Sequence, residues 1–379
     1  MDNLRTLIGS RIKNARKRIN LSQKELAKQA GLPSYAETIS KIEKGEREVK
    51  AWELVNIARV LRISISELLA SIEPKPLPFI LWRKEPKKDR ILLENSFIQF
   101  CKRYHIAERL CGMSSTSRLP KESIDPKSID DTVALKLANQ ITNQLNLGSR
   151  PAKVLAKILE EDWNVKIWYK DLGEQGSAAT VVGEFGPAIL INSSEAPWRR
   201  NFSFAHEVFH LITWDSIPPK KLQSDRELTE EVERIAEAFA SNLLLPFEPI
   251  TVAFKSSVKN KKILYIDLVK IAREFDVSTE ALIYRLCNLR LIDWKTGKDV
   301  LSNPRFRTLD KESMHRHWRN PPPIPERFVR LAFSAFQAGK LSRSRLAEFL
   351  NTSLIDLPKR LMEYEFNEQE DYETEINTS

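Results

Sequence analysis

Two histidines and a glutamate near the middle of the chain have the types and the spacing for metal chemistry. Residues 206–210 read His206-Glu207-Val208-Phe209-His210, a His-Glu-x-x-His motif. On a helix, residues four apart share a face, so both imidazoles can reach one metal ion. Glu207 projects one residue along from His206, beside that face, and can touch a water that the metal holds. The flanking Phe202, Phe204, Ala205, Val208, Phe209, Leu211 and Ile212 are apolar, as suits a helix buried behind a reactive centre. The chain has only five histidines in 379 residues, so a pair at this spacing is rarely an accident.

A catalytic zinc site usually needs a third protein ligand and an open position. Downstream, Ile235, Ala236, Phe239, Ala240, Leu243 and Leu244 recur at helical spacing until Pro246 ends the run. Glu233 adjoins that apolar stripe. A carboxylate there is costly unless paired or metal-bound, which favours Glu233 as the third ligand. Glu237 follows four residues later on the same side, whereas Glu227, Glu230 and Glu231 read as a solvated face.

His-Glu-x-x-His followed by Glu-x-x-Ala-x-x-Phe-Ala-x-x-Leu-Leu-x-Pro resembles the ImmA/IrrE-type zinc metallopeptidases, over about residues 95–360. By that resemblance His206, His210 and Glu233 hold one Zn2+ per chain and Glu207 is the general base. Zinc acidifies its water and polarises the scissile carbonyl, and Glu207 passes the proton to the leaving amine. The family commonly has Asn where this chain has Glu237. Glu-x-x-x-Glu also mimics the gluzincin pattern, in which the later acid supports a ligand without touching the metal. Glu237 is expected in that supporting role, with the ligand role in place of Glu233 as the alternative. Tyr284 and Arg285 are the candidates for stabilising the oxyanion.

Elements must position these groups. Val165–Tyr169, Ala179–Val182 and Ala188–Ile191 are β-rich, with a hairpin connection at Gly183–Pro187. They predict a small antiparallel sheet whose edge strand can pair with an extended peptide. Asn192–Arg200 would be the loop into the His-Glu-x-x-His helix, with Arg199 and Arg200 read as structural. Helices are expected over Ile91–Leu110, Thr132–Leu147 and Pro151–Asp162, and again within 263–291, 328–338 and 342–350. Ile271–Phe275 with Thr279–Leu289 echoes a helix-turn-helix shape, and so does Leu341–Ser353, as a packing unit. His315 and His317 read as surface residues of a polar loop. Residues 72–92 hold four prolines and many charges and predict a linker or extended strap rather than a core element.

The front of the chain has different chemistry. Residues 5–20 form a basic amphipathic pattern, and Ser22 with Glu25 makes a capping box for a helix that Gly31 stops. A second short helix runs from Ala36 to a stop at Gly45. Leu-Ser-Gln-x-Glu-Leu-Ala, then Ile-Ser-Lys-Ile-Glu-Lys-Gly-Glu-Arg, resembles the Xre/Cro-type helix-turn-helix over about residues 1–70. By that resemblance Gln23 touches the DNA backbone or a base, Glu37, Thr38, Ser40 and Lys41 face the groove, and Lys44 and Arg47 contact phosphates. Leu32-Pro33-Ser34-Tyr35 makes the turn about two residues longer than usual. Residues 1–72 carry fourteen Lys or Arg against eight Asp or Glu, a large share of the +9 total, while the run 363–375 has seven acids and no base. The front is built for a polyanion and the tail is not.

The whole reads as mostly helical α+β. An all-α helix-turn-helix domain (1–71) leads through a linker and helical strap (72–131) to a zincin-like metallopeptidase core (132–250), a helical region (251–362) and an acidic tail (363–379). No stretch is long and apolar enough for a membrane, and three cysteines match no zinc or redox spacing, so a cytoplasmic protein with reduced thiols is expected. The expected partners are duplex DNA through residues 1–71 and a protein substrate such as a helix-turn-helix repressor; a homodimer is compatible. The competing reading is a regulator or antitoxin-like module whose peptidase-like fold senses or binds without proteolysis.

Overall fold

A computed structural model describes residues 2–33, 35–70, 77–87, 89–113, 118–125, 130–174 and 176–368, with backbone only at Asp2, Asn3 and Tyr35. The heart of the expected linker (72–76), part of the expected loop before Asp131 and the tail from 369 lie outside those residues. The chain divides into two compact units: residues 1–78 with 85–103, and residues 79–84 with 104–379.

The first unit holds α1 (Asp2–Arg18), α2 (Gln23–Gln29), α3 (Tyr35–Glu43), α4 (Ala51–Leu61) and α5 (Ile65–Leu69). The capping box forms as expected: Glu25 N–H donates to Ser22 Oγ at 3.2 Å and Ser22 N–H to Glu25 Oε2 at 2.7 Å. Ile12, Leu26, Ala27, Ile39, Ile42, Ile57, Leu61 and Leu68 make one core. Gly9 lets α1 approach the end of α3, since a Cβ there would lie 2.2 Å from Ile42 O. Gly45, at φ +76°, closes α3 in the left-handed conformation that favours glycine.

Along the rest of the chain come β1 (Ile80–Trp82), α6 (Arg90–Leu110), α7 (Asp131–Gln144), α8 (Pro151–Glu161), β2 (Lys166–Lys170), β3 (Ala178–Gly183), β4 (Gly186–Asn192), α9 (Pro197–Ile212), α10 (Pro219–Ser224) and α11 (Arg226–Leu244). Then follow α12 (Phe247–Ser257), α13 (Tyr265–Glu274), α14 (Thr279–Asn288), α15 (Trp294–Ser302), α16 (Pro304–His317), α17 (Glu326–Gln337), α18 (Arg343–Phe349) and α19 (Leu357–Met362). Three expectations need correction. The sheet is mixed, in the order β1-β3-β4-β2, with β2 parallel to β4. The chain leaves β2, skips one position to lay down β3, and the hairpin returns β4 into the gap. Asn192 fastens the crossover, its amide donating to Gly173 O at 2.7 Å and Gly176 O at 2.8 Å. Second, the proline-rich strap is not all outside the core. Ile80–Trp82 pair antiparallel with Val181–Ala179, and Ile80 and Trp82 are buried. Third, His315 and His317 sit in the last turn of α16 rather than in a loop.

The His-Glu-x-x-His helix begins at Pro197, earlier than expected, because proline suits the first helical position. From Ser203 to Ile212 every residue of α9 is buried. It packs on β3 and β4 on one side and on α11 on another, and α7 closes over α11. Arg200 is indeed structural: its guanidinium donates to the carbonyls of Ser193, Glu195 and Arg319.

Candidate metal centre and nucleic-acid interface

The helical period puts His206 and His210 on one face of α9, and α11 brings Glu233 against them. His206 Nε2 and His210 Nε2 are 3.1 Å apart. Glu233 sets Oε2 3.1 Å from His206 Nε2 and Oε1 3.4 Å from His210 Nε2. Among the described residues this is the one group of three or more His, Cys, Asp or Glu side chains whose donor atoms converge. Tetrahedral zinc with bonds of about 2.0–2.1 Å needs neighbouring donors about 3.3 Å apart. The donor set and its spacing therefore fit a zinc ion.

Glu207 is wholly buried. Thr180 Oγ1, from β3, donates to Glu207 Oε2. Glu207 Oε1 and His206 Nδ1 are buried with no hydrogen-bond partner. Burial pushes the Glu207 carboxyl up to about 7, against the pull of His210 and the Thr180 hydrogen bond. Burial pushes His206 down to about 4, offset in part by its hydrogen bond to Glu233. His210 feels the same burial, but Glu233 outweighs it and raises its pKa. Glu233 loses solvent too, yet hydrogen bonds from both imidazoles hold it well below the usual carboxylate range.

Glu237 does not support the ligands. Its carboxylate is 62% exposed, and its charge partner is Arg83 at 3.8 Å. Four residues advance a helix by about 400°, so the offset from Glu233 turns Glu237 toward the rim. Tyr284 donates to Glu280, and Arg285 to Leu245 O, so neither engages the cluster through its hydrogen bonds. Two groups beside the centre escaped the sequence reading, Thr180 and Arg83. Thr180 was one residue in a β-rich run, and Arg83 stood in what read as a strap.

In the first unit the expected DNA contacts separate into two sets. Lys41 and Lys44 are exposed, as is Glu37, which pairs with Lys41 at 2.8 Å; Ser40 is half-buried. The others are turned inward. Thr38 is buried and donates to Pro33 O at 2.7 Å, so it fastens the turn instead of facing a groove. Arg47 forks onto the fully buried Glu53 at 2.8 and 3.1 Å. Gln23 donates to Glu43 Oε2 at 2.8 Å, in a cluster that Arg16 completes from α1.

Comparison with known proteins agrees with both halves of this description. Residues 12–68 match the helix-turn-helix family model, and residues 160–287 match that of the IrrE N-terminal-like domain. No curated protein matches. A solved structure of Bacillus thuringiensis PlcR, in complex with the peptide PapR7 and DNA, is similar at 15% identity over 82% of this chain and 97% of that one. Its TM-score of 0.17 is too low for that likeness to carry an argument. Among the described residues no helix is long and apolar enough to cross a membrane. The chain thus joins a helix-turn-helix domain to a metallopeptidase-like domain of the IrrE N-terminal type.

Proposed function

We propose that this chain is a DNA-binding regulator that hydrolyses peptide bonds in a protein partner, a helix-turn-helix repressor being the expected kind. His206, His210 and Glu233 would hold one zinc ion, and Glu207 would act as general base. The observation that carries this reading is the unpartnered Glu207 Oε1, buried beside three converging donor atoms. Zinc, when bound, supplies Lewis acidity that polarises a carbonyl and acidifies water. The chain's own residues do the rest. Thr180 occupies Oε2 of Glu207 and so fixes the carboxylate, leaving Oε1 to take a proton and hand it to the departing amine. A carboxyl lifted toward neutrality by burial exchanges that proton more readily than an exposed one. His206, held neutral by burial, keeps a lone pair available for a metal. The basic excess of residues 1–72 and the exposed Lys41 and Lys44 support binding of duplex DNA by the first unit.

Zinc-loaded wild type should cleave members of a fluorogenic short-peptide library. Glu207→Gln should lower kcat by about 10²–10⁴-fold while keeping its metal and its DNA affinity. Glu207→Gln cleaving as well as wild type would sink the assignment of the base. A wild type that binds zinc and cleaves nothing would favour a sensing or partner-binding role for the fold.

A further inference from the structure

The segment joining the two parts of the chain places one cation at the rim of the metal-ligand cluster. Arg83 directly follows β1, and its backbone stays in the sheet, Arg83 N–H donating to Ala178 O at 3.1 Å. Its side chain crosses to α9, where Nη1 donates to Ser203 Oγ at 3.0 Å and the guanidinium lies over Phe202, 5.2 Å from the ring centre. Ser203 precedes His206, Glu207 and His210 by three, four and seven residues, so it continues the face that carries them. On the other side Arg83 meets Glu237, which follows Glu233 by one turn of α11. Arg83 therefore bridges both ligand-bearing helices, one turn from the donors on each.

The cation there is incompletely matched. Arginine has five N–H donors in a planar fork suited to a carboxylate. Among the described residues Arg83 makes one side-chain hydrogen bond, to Ser203. Its acidic neighbour, Glu237, is 3.8 Å away, beyond hydrogen-bond range, and that carboxylate is largely in solvent while the Arg83 side chain is only 19% exposed. Arg200, by contrast, is tied down by several carbonyls.

Resting on the peptidase reading above, we propose that Arg83 is a specificity-determining residue that binds an acidic side chain of the polypeptide next to the bond to be cut. Glu237 holds that place in the free protein and is displaced when the substrate carboxylate forks onto Arg83. The substrate class is then a peptide with Asp or Glu at one fixed position near the scissile bond.

The test uses the full chain carrying Glu207→Gln, zinc-loaded, so that peptides bind without turnover. Fluorescent positional-scanning pools of short peptides, with Asp, Asn or Lys fixed at each position in turn, are titrated by anisotropy. One position should prefer Asp over Asn by about tenfold. That preference should vanish in Arg83→Met, shrink in Arg83→Lys, and turn toward Lys in Arg83→Glu, while affinity for the Asn pools stays within about twofold. Should Arg83→Met melt early, the Arg83→Lys and Arg83→Glu pair decides. A uniform loss across all pools would assign Arg83 a structural role and overturn the proposal, as would an Asp preference that survives Arg83→Met. Running the same pools on chains with Glu207 intact separates the two readings. Cleavage without any acidic preference refutes the role of Arg83 and leaves hydrolysis standing. No cleavage of any pool by zinc-loaded wild type refutes hydrolysis, and Arg83's role falls with it.

Discussion

Two buried polar clusters in this chain are built on opposite principles. In the first unit Arg16 donates from Nε and Nη2 to the two oxygens of Glu43, at 2.6 and 2.9 Å, and Gln23 adds a third donor. Donors face acceptors, and the cluster needs nothing further. In the second unit two imidazole nitrogens and a carboxylate converge within 4.8 Å, and each offers a lone pair when deprotonated. Burial acts on both His210 and Glu233, and the hydrogen bonds between Glu233 and the imidazoles outweigh it, raising His210 and holding Glu233 well below the usual carboxylate range. A group that accepts several lone pairs at once suits it better than any proton can. The first cluster fixes three helices relative to one another, whereas the second brings three metal-ligating side chains together.

The contrast can be broken from either side. Excess zinc, at about a thousand times its Kd, should stabilise the wild type by about 4 kcal/mol, read as a rise in Tm, and His210→Ala should abolish that rise. If the two clusters are as different as they look, zinc does nothing for the transition of the first unit. Arg16→Ala strands a carboxylate whose side chain is 2% exposed, and it should cost about 3 kcal/mol in denaturant melts and abolish DNA binding. A cost near zero would mean that Arg16 and Glu43 do not organise the helix-turn-helix.

A third buried cluster sharpens the comparison through pH. Arg327 donates to Glu108 at 2.8 Å, Lys166 pairs with Glu108 at 2.8 Å, and Tyr104 donates to Glu160 at 2.8 Å. Burial pushes Glu160 up to about 7, against the Tyr104 hydrogen bond and the charge of Arg327. The folded state thus holds this proton more tightly than the unfolded chain, whose value is near 4.5. The stability from Glu160 is complete below about pH 4.5 and is lost as pH rises through about 7. Glu160→Gln keeps an acceptor for Tyr104 and carries no charge, so it should stabilise by about 1–2 kcal/mol at pH 8 and by almost nothing at pH 4.5. Equal effects at both pH values would contradict the assignment. The smallest effect is expected at Thr180→Val. It frees Glu207 to turn and should lower kcat by about three- to tenfold with zinc content unchanged.

How much of this could be read from the chain follows the range of the interactions. The convergence of His206 and His210 was legible because its signal lies within one turn, and that of Glu233 because a carboxylate beside an apolar stripe is physically expensive. The capping box at Ser22 and the stop at Gly45 are equally local. Glu237 misled because four residues overshoot one helical turn by about 40°, and near the edge of a buried face that offset decides exposure. Thr38, on α3, and Arg47, beyond its end, misled because a polar side chain can turn inward where an acceptor waits, as Pro33 O and Glu53 do. The parallel pairing of β2 with β4 depends on a strand inserted from further along the chain, which periodicity cannot report. Arg83 and β1 were hidden by four nearby prolines, although Ile80-Leu81-Trp82 is itself a short β-prone run.

The central claim is that His206, His210 and Glu233 together, without Glu237, make a zinc site. Metal content of wild type, Glu233→Ala and Glu237→Ala, purified in parallel and loaded with zinc, tests it directly. The account predicts about one zinc per chain in wild type and in Glu237→Ala, and none in Glu233→Ala. Zinc retained by Glu233→Ala but lost from Glu237→Ala, or a wild type that takes up no zinc, would contradict it.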